Sequence, residues 1–366
     1  MKSEMVQKAI KLYKSLHGSI KPYIPVMVVS SNGVHVMAKD FTIFVADQTD
    51  LQEPILIDKD IIPQLERITE GDISFTPKGC VSGSLSIVSE FEYFKDQLEE
   101  FDKVQLTEIG AQTLRKCIDR VKFAVAGTDE RPILTNICWD KEYMVALDGY
   151  RIAKVSIDPF NNYGRLLIPL PVVNILSKFV SKNVEVMHFG VLEDGPDTDL
   201  YFNFDNVWIR CKMPTGEYMN YGAVMDSREC DIKFKIDRKS ILKVLKQMGP
   251  EKYTEEIRDE KTGEVKKLVV KNKQQPCHVS FNGDVICLTQ TNIHSTYKES
   301  LPIDIDEGTY QTLRSFKIAF NPKYFLEALK SMDDEVITVT MLSSLTPIKI
   351  YGQGIEHLVL PIRISN

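Results

Sequence analysis

The residues best able to do chemistry are scattered along this chain of 366 amino acids. Cys277 and His278 are adjacent, and neighbouring residues of a strand point to opposite faces, which disfavours a nucleophile and base pair. The acidic run at 333–335 could bind a metal ion, but it is more typical of the polar break that follows a helix. The six histidines show no pair at metal-ligand spacing. An enzyme is therefore the weaker class of function.

Motifs for cofactors and catalysis are missing from the sequence. It contains no G-x-x-x-x-G-K-[ST], no G-x-G-x-x-G that opens a helix after a strand, no H-E-x-x-H and no G-x-S-x-G. The seven cysteines form no C-x-x-C pair, which is typical of a reducing compartment. We therefore expect no catalytic residue, no cofactor and no metal.

Lysine is the residue type whose placement is regular. Three apolar stripes at +0, +4 and +7 predict helices, and they are Val6, Ile10 and Tyr13; Leu114, Ile118 and Val121; Ile241, Leu245 and Met248. Lys8, Lys116 and Lys243 each follow the first stripe residue by two positions, about 200° around the helix. Lys11 and Lys246 belong to the same helical faces. Such a face can be merely solvated, but its repetition indicates phosphate contacts that do not read base sequence.

The charge is divided unequally between the predicted elements. The whole chain carries −6, whereas the six predicted helices, residues 6–17, 58–70, 114–122, 170–183, 238–248 and 320–332, carry +11 together. The strands and loops therefore carry −17. Positive helices with negative sheets suit a body that presents one layer to a polyanion.

The elements that must position these lysines recur three times. Apolar residues at Ile57, Ile168 and Phe320 each lead into a polar turn and a helical stripe. Sixteen residues after each start comes a residue typical of strands, and these are Ile73, Val184 and Val336. A helix followed by a strand is therefore predicted in each of three copies.

A β-meander is predicted after the first helix of each copy. Strands are expected at 26–29, 34–37 and 41–45, at 137–139, 143–146 and 152–155, and at 277–281 and 285–289. These patterns predict an α+β fold of three tandem helix/antiparallel-sheet domains, at 1–103, 104–228 and 229–366. No apolar run reaches the length of about 20 residues needed to span a membrane, so we expect a cytoplasmic protein.

Six segments resemble, in order and spacing, the bacterial DNA polymerase III beta subunit, the sliding clamp. They are residues 128–136, 147–152, 167–169, 319–329, 345–350 and 358–364, and a weaker likeness covers 21–27. The resemblance implies the DNA clamp fold, with the chain as half of a head-to-tail homodimeric ring. Helices would line a hole that holds duplex DNA, and the protein would confer processivity without catalysis.

The resemblance also implies a partner pocket between the second and third domains. It would take short hydrophobic peptides of the DNA polymerase III alpha subunit and the clamp loader, through a few apolar anchors. Its lining would be Leu134, Leu147, Gly149, Tyr150, Arg151, Ile152, Tyr324, Leu345, Pro347, Leu358, Leu360, Pro361, Ile362 and Arg363. The inward residues of 358–364 would also fill the core, and Pro361 indicates an edge strand. On the DNA side, Lys21 and Lys178 are similar to basic residues of the family.

Departures from the family pattern leave alternatives open. Leu170 and Pro171 replace an expected basic pair, Tyr150 stands where His is commoner, and Asp226 where Pro is expected. Few residues precede the first helix, Gly249-Pro250 ends a later one, and a charged insert at 251–273 follows, with a hairpin turn expected at 262–263. A clamp-derived protein-binding scaffold, or a mobile-element paralogue with weakened DNA binding, is the alternative to a replicative clamp. A DNA-modifying enzyme would require acids clustered on one face.

Overall fold

The structure is a computed structural model that describes residues 1–366 except 21–22, 102, 128–130, 159–162, 226–231, 251, 259–264, 272–274, 306–312, 314–315 and 365–366. For residues 252–258 and 265–271 only the backbone is described. The chain forms two compact units. The first unit contains Met1–Met144 and Ile157–Tyr218, and the second contains Val145–Ser156 and Met219–Asn366.

The α-helices carry the predicted apolar stripes towards the cores. In chain order they are α1 (Ser3–Ser19), α2 (Ile62–Leu65), α3 (Ala111–Val121), α4 (Leu170–Phe179), α5 (Tyr221–Met225), α6 (Arg238–Gln247) and α7 (Pro322–Lys330). All nine stripe residues are buried. This burial confirms the helical periodicity, because only one face of each helix is apolar.

The helix predicted over 58–70 is wrong in length, since α2 has a single turn. The amide of Gln7 donates to the backbone carbonyls of Leu65, Glu66 and Ile68, at 3.0, 3.2 and 2.8 Å. These carbonyls would otherwise need the next turn of a helix. A side chain from α1 therefore replaces the missing turn.

The strands follow the predicted meanders closely. They are β1 (Val26–Ser30), β2 (Gly33–Ala38), β3 (Phe41–Ala46), β4 (Ile55–Ile57), β5 (Ser74–Thr76), β6 (Gly79–Ser82), β7 (Leu85–Val88), β8 (Glu92–Tyr93), β9 (Thr107–Gly110), β10 (Asn136–Asp140), β11 (Tyr143–Leu147), β12 (Arg151–Ser156), β13 (Arg165–Pro169), β14 (Val186–Asp194), β15 (Asp197–Phe204), β16 (Val207–Lys212), β17 (Ile232–Asp237), β18 (Lys252–Arg258), β19 (Val265–Lys271), β20 (Cys277–Asn282), β21 (Val285–Thr291), β22 (Thr296–Pro302), β23 (Asp304–Ile305), β24 (Ile318–Phe320), β25 (Val336–Met341), β26 (Ile348–Gly352), β27 (Ile355–Val359) and β28 (Pro361–Ile362). The boundary between the two units falls within β11.

One antiparallel sheet of nine strands runs through the first unit, in the order β8-β4-β1-β2-β3-β16-β15-β14-β9. Strands β3 and β16 pair with Val45 opposite Val207. Helix α1 packs on β2 and β3, and α3 packs on β9 and β14. The limit predicted at 103/104 therefore lies inside one compact unit, and the three domain limits stay predictions.

The second unit is built from antiparallel ladders. Strands β12-β27-β26-β25-β17-β23 lie side by side, and a separate sheet has the order β22-β21-β20-β24-β28. Strands β18 and β19 pair from Lys252↔Lys271 to Arg258↔Val265, which confirms a hairpin in the charged insert. Its expected turn at 262–263 lies outside the described residues.

Candidate functional site

A tight turn in the second unit presents the first residues of the candidate peptide site. Gly149 has φ +85°, a conformation that L side chains rarely adopt. The Asp148 carboxylate accepts hydrogen bonds from the backbone N–H groups of Tyr150 and Arg151, at 3.0 and 3.2 Å. An Asx turn of this kind fixes the chain at the start of β12. Tyr150 is therefore left exposed while Arg151 turns inwards.

Arg151 is the charged centre of this region. It is 8% exposed, and its Nε donates to the Asp148 carboxylate at 2.9 Å. Its terminal nitrogen also donates to the Glu327 carboxylate of α7. Two carboxylates around one buried guanidinium hold the turn, β12 and α7 in a fixed arrangement.

Two tyrosine rings lie beside this guanidinium. The Tyr150 and Tyr324 ring centroids are 6.0 Å apart at an interplanar angle of 26°. The Arg151 guanidinium lies 4.5 Å from the Tyr324 centroid, which is cation–π geometry. Burial, assisted by the Asp148 carboxylate, raises the pKa of Tyr324. The phenol stays neutral, so the two rings offer an uncharged aromatic surface.

The C-terminal run continues the site along Tyr150. The backbone N–H of Leu360 donates to the Tyr150 carbonyl at 2.9 Å. Immediately before Leu360 the chain leaves β27, and immediately after it β28 begins on another sheet. Strand β28 is the edge of its sheet, which confirms the prediction made from Pro361. Leu360 and Ile362 are 37% and 38% exposed, and Arg363 is exposed.

The remaining predicted pocket residues divide into surface and core. Leu345 is 67% exposed in the turn before β26, and Pro347 is half-buried there. Three others, Leu147, Ile152 and Leu358, are at most 5% exposed, so their side chains fill the core and do not line an open surface. They pack inwards because alternate residues of paired strands share one face. Leu134 belongs to the first unit and is buried there.

Sequence reasoning missed the two carboxylates that hold Arg151. Asp148 was detectable, because Asp followed by Gly at the start of a strand is a common turn signal. Glu327 carried no such signal. It lies 176 residues away along the chain, on the face of α7 that reaches Arg151.

The predicted basic faces are present on the helices of the first unit. Lys11 of α1, Lys116 of α3 and Lys178 of α4 are all exposed. Lys178 also lies 5.4 Å from the ring centroid of its neighbour Phe179. In the second unit, Lys243 and Lys246 of α6 are exposed as well. Exposed ammonium groups on helices are free to contact phosphates of a duplex.

Lys8 does not lie on an open face, contrary to the expectation from its spacing. Its ammonium donates to the Asn206 side-chain oxygen at 2.7 Å and lies 3.8 Å from the Asp205 carboxylate. Burial lowers the pKa of Lys8, and Asp205 acts in the opposite direction. The charge of Lys8 is thus engaged inside the first unit. Lys21, the remaining predicted cation, lies outside the described residues, as does Asp226.

The candidate catalytic residues are separated by the fold. Cys277 is fully buried while His278 is exposed, as alternation along β20 predicts. Burial raises the pKa of the Cys277 thiol to about 12. The run 333–335 lies between α7 and β25, which confirms the polar break. Within the described part of the chain, no three His, Cys, Asp or Glu residues converge on a possible metal position. No described helix is both long and apolar enough to cross a membrane.

Comparison with known proteins places this arrangement. The family profile for the central domain of the DNA polymerase III beta subunit matches residues 108–220, and that for its C-terminal domain matches residues 261–363. The beta sliding clamp of Staphylococcus aureus (strain N315) is 24% identical over 277 residues. That match covers 73% of this chain and 66% of the relative, so it spans slightly less than two thirds of the relative's length.

Solved structures share the whole fold. A DNA polymerase sliding clamp from Bacillus subtilis superposes with a TM-score of 0.77 at 16% identity, covering 100% of this chain and 98% of that one. The beta subunit from Thermotoga maritima gives 0.75 at 16% identity, with 100% and 99% covered. The fold is that of the sliding clamps. Since the two family profiles together match more than half of its residues, the chain belongs to the DNA polymerase III beta subunit family.

Proposed function

We propose that this chain is a DNA sliding clamp. Two copies join head to tail around duplex DNA and tether the DNA polymerase III alpha subunit and the clamp loader through short hydrophobic peptides. The protein is a non-catalytic processivity factor of the cytoplasm. The observation that carries the proposal is the exposure of lysines on four helices whose opposite faces are buried.

These lysines support binding that does not depend on DNA sequence. Lys11, Lys116, Lys178, Lys243 and Lys246 present mobile point charges that can contact phosphates without reading bases. Each contact is weak and exchanges readily with counterions, so a ring that carries them can slide. Topological closure then provides the retention that tight binding would provide at the cost of mobility.

Two edge strands support a head-to-tail dimer. Strand β7 is the edge of the small sheet β5-β6-β7, where Leu85 is 47% and Val88 is 86% exposed. Strand β22 is the edge of a sheet in the second unit. Exposed edges pair readily with another chain. Because the two edges belong to different units, pairing β7 of one copy with β22 of the next produces a head-to-tail contact.

The surface around Tyr150 and Tyr324 supports the peptide site. Tyr150, Leu345, Leu360 and Ile362 are exposed apolar groups, and the adjoining Arg151 is fixed by carboxylates. A few apolar anchors beside a fixed polar group are typical of peptide grooves. We assign this surface to the hydrophobic motifs of the polymerase and the clamp loader.

The DNA role is tested by retention on circular DNA. The protein is assembled on nicked circles, and the circles are then cut. We expect bound protein to persist on circles and to be released by cutting, because a ring slides off a free end. Equal retention on linear and circular DNA contradicts the proposal.

A matched pair of variants tests the lysine faces. Replacing Lys11, Lys116, Lys178, Lys243 and Lys246 by Gln should reduce retention at least about tenfold and flatten the salt dependence, which falls by about 0.9 per lost phosphate contact. The control replaces Lys59, Lys95, Lys141, Lys233 and Lys317, which are exposed but lie outside the helical faces. Equal losses in both variants would show that only net charge matters.

A second candidate is a clamp-derived scaffold, or mobile-element paralogue, with weakened DNA binding. Two observations favour it: the ammonium of Lys8 is engaged by Asn206, and apolar Leu170 and Pro171 open α4. Binding of a polymerase tail peptide, measured by fluorescence anisotropy, without retention on circles would establish this alternative.

A further inference from the structure

A cavity of about 390 Å³ opens in the first unit, between the start of β1 and the end of β4. Its volume falls within the range of about 300–1,000 Å³ that is typical of ligand sites. Its walls are formed by residues 24–27, residues 56–59, Tyr13, Ile62, Glu90 and Glu92. None of these residues belongs to the peptide site of the second unit or to the lysine faces.

The cavity exists because two paired strands diverge. Strands β1 and β4 are in register from Val29↔Ile55 to Met27↔Ile57, and their ladder ends there. Beyond Ile57 the chain turns through Asp58, whose carboxylate accepts from the Asp60 backbone N–H at 2.8 Å. The extended segment before Met27 therefore runs past the end of β4, and a gap is left beside it. A gap next to extended backbone has the shape to receive another extended segment.

The floor and one wall of this gap are apolar. Tyr13, Met27, Ile57 and Ile62 are at most 6% exposed and form the buried floor. Ile24 and Val26 stand at the mouth, 53% and 40% exposed. Burying those two side chains under an apolar partner would contribute free energy at about 25 cal/mol per Å².

The rim of the same cavity is acidic. Asp58, Glu90 and Glu92 are exposed carboxylates, whereas Lys59 is the single basic residue of the lining. An acidic rim attracts cationic partners and repels anionic ones, at distances up to a Debye length of about 8 Å in physiological salt. The occupant must therefore combine an apolar anchor with positive charge.

We propose that this cavity binds an extended peptide segment in which an aliphatic or aromatic anchor is flanked by Lys or Arg. The anchor fills the floor above Tyr13 and Met27, and the flanking cations lie against Glu90, Glu92 and Asp58. This acidic-rimmed cavity is a second peptide site of the chain. It has the opposite charge preference to the DNA-facing lysines, so nucleic acid does not compete for it.

The test uses the full chain and two labelled peptides in fluorescence anisotropy. The probe is Lys-Lys-Ile-Phe-Lys-Lys, and its control is Glu-Glu-Ile-Phe-Glu-Glu, which has the same anchors and the opposite charge. We expect saturable binding of the basic peptide, weakened by salt, and at least about tenfold weaker binding of the acidic one. Equal affinity for both peptides, or no binding of the basic peptide at about 1 mM, overturns the proposal.

Variants locate the binding. Replacing Glu90 and Glu92 by Lys should weaken binding of the basic peptide at least about tenfold, as should Ile24→Asp at the anchor position. The matched control replaces the exposed Glu142 and Glu185 by Lys, far along the chain from the cavity lining. An unchanged affinity in the Glu90 and Glu92 variant overturns the assignment.

One further variant separates this site from the proposed clamp function. Tyr150→Ala should leave binding of the basic peptide unchanged, because Tyr150 belongs to the second unit. A loss in that variant means that the basic peptide binds the other site, which also overturns the proposal. Retention on circular DNA does not bear on this cavity, so the two proposals can fail independently.

Discussion

At the scale of single residues, the candidate peptide site depends on one buried cation. Arg151 is held between Asp148 and Glu327, and it lies against the Tyr324 ring. A buried guanidinium is tolerated when carboxylates and hydrogen bonds replace the lost water. The residue types were evident from the sequence, since Arg151 and Tyr324 were both expected at the site. Their mutual arrangement was not, because the contact joins β12 to α7.

Replacing Arg151 by Ala should leave two carboxylates without their shared partner. We expect the free energy of unfolding to fall by about 3 kcal/mol, which is in the range for breaking a buried pair. Binding of a polymerase tail peptide should be lost as well. Urea unfolding followed by circular dichroism measures the first effect. The control is Arg363→Ala, an exposed change that should stay within about 0.5 kcal/mol; similar midpoints for both variants would contradict the role of Arg151.

His35 predicts a dependence of stability on pH. Its ring is 1% exposed, stacks on Phe44 at 4.5 Å and has the Ser30 hydroxyl at 3.2 Å from Nε2. Burial lowers the pKa of His35 to about 4, from 6.5 in the unfolded chain. Between these values the unfolded state binds the extra proton, so stability falls as pH drops from about 6.5 to about 4. The contribution lost is up to about 3 kcal/mol.

The measurement is the urea midpoint as a function of pH, compared with a His35→Phe variant. We expect the variant to lose less stability than the parent protein between pH 6.5 and 4. His278→Gln, a change at an exposed histidine, is the control and should follow the parent curve. Parallel curves for the parent and the His35 variant would rule out this residue as the source.

At the scale of elements, helices and hairpins were predicted well because their signals are local. The stripes at +0, +4 and +7 fix which helical face is buried, and alternation with polar turns fixes the meander strands. The exception was α2, where Gln7 from another helix takes the carbonyls that a longer helix would satisfy. Such a contact depends on the packing of α1 beside α2, which no local pattern in 58–70 records.

Two glycines of the first unit should respond in opposite ways to Ala. At Gly33 a Cβ would lie 2.2 Å from the Val45 carbonyl oxygen, and φ is +150°. Gly33→Ala should therefore lower the free energy of unfolding by about 2 kcal/mol or more. At Gly18, inside α1, a Cβ meets nothing within 4 Å, so Gly18→Ala should raise it by about 0.5–1 kcal/mol. Thermal unfolding compares the two, and a change of the same sign in both would contradict this reasoning.

At the scale of the whole molecule, the chain divides into two compact units although its sequence repeats three times. The first two predicted domains share the sheet that β3 and β16 join, so the repeat does not define separate bodies. Segment 145–156 belongs to the second unit, where β12 pairs with β27. The repeat pattern predicted the elements of each copy correctly, but strand pairing decided how they associate.

The proposed dimer makes a prediction at this scale. Val88 is 86% exposed on the edge strand β7, so Val88→Asp should leave the fold of a single chain intact. A charge at that edge should prevent pairing with a second copy, as charged edges do in natural sheets. Light scattering should show two chains for the parent protein and one for the variant. Val186→Asp, at a 47% exposed valine of β14, is the control, and a dimeric Val88→Asp variant would exclude β7 from the interface.

The sequence by itself determined the helices, the meander strands and the spacing of Lys11, Lys116, Lys178, Lys243 and Lys246, because periodicity relates residues a few positions apart. Only the tertiary structure decided which predicted site residues are available. It buries Leu147, Ile152 and Leu358, and it engages Lys8 with Asn206 across 198 residues of chain. The physical reason is that burial and charge pairing depend on which distant strands and helices meet, and local patterns carry no information about such contacts.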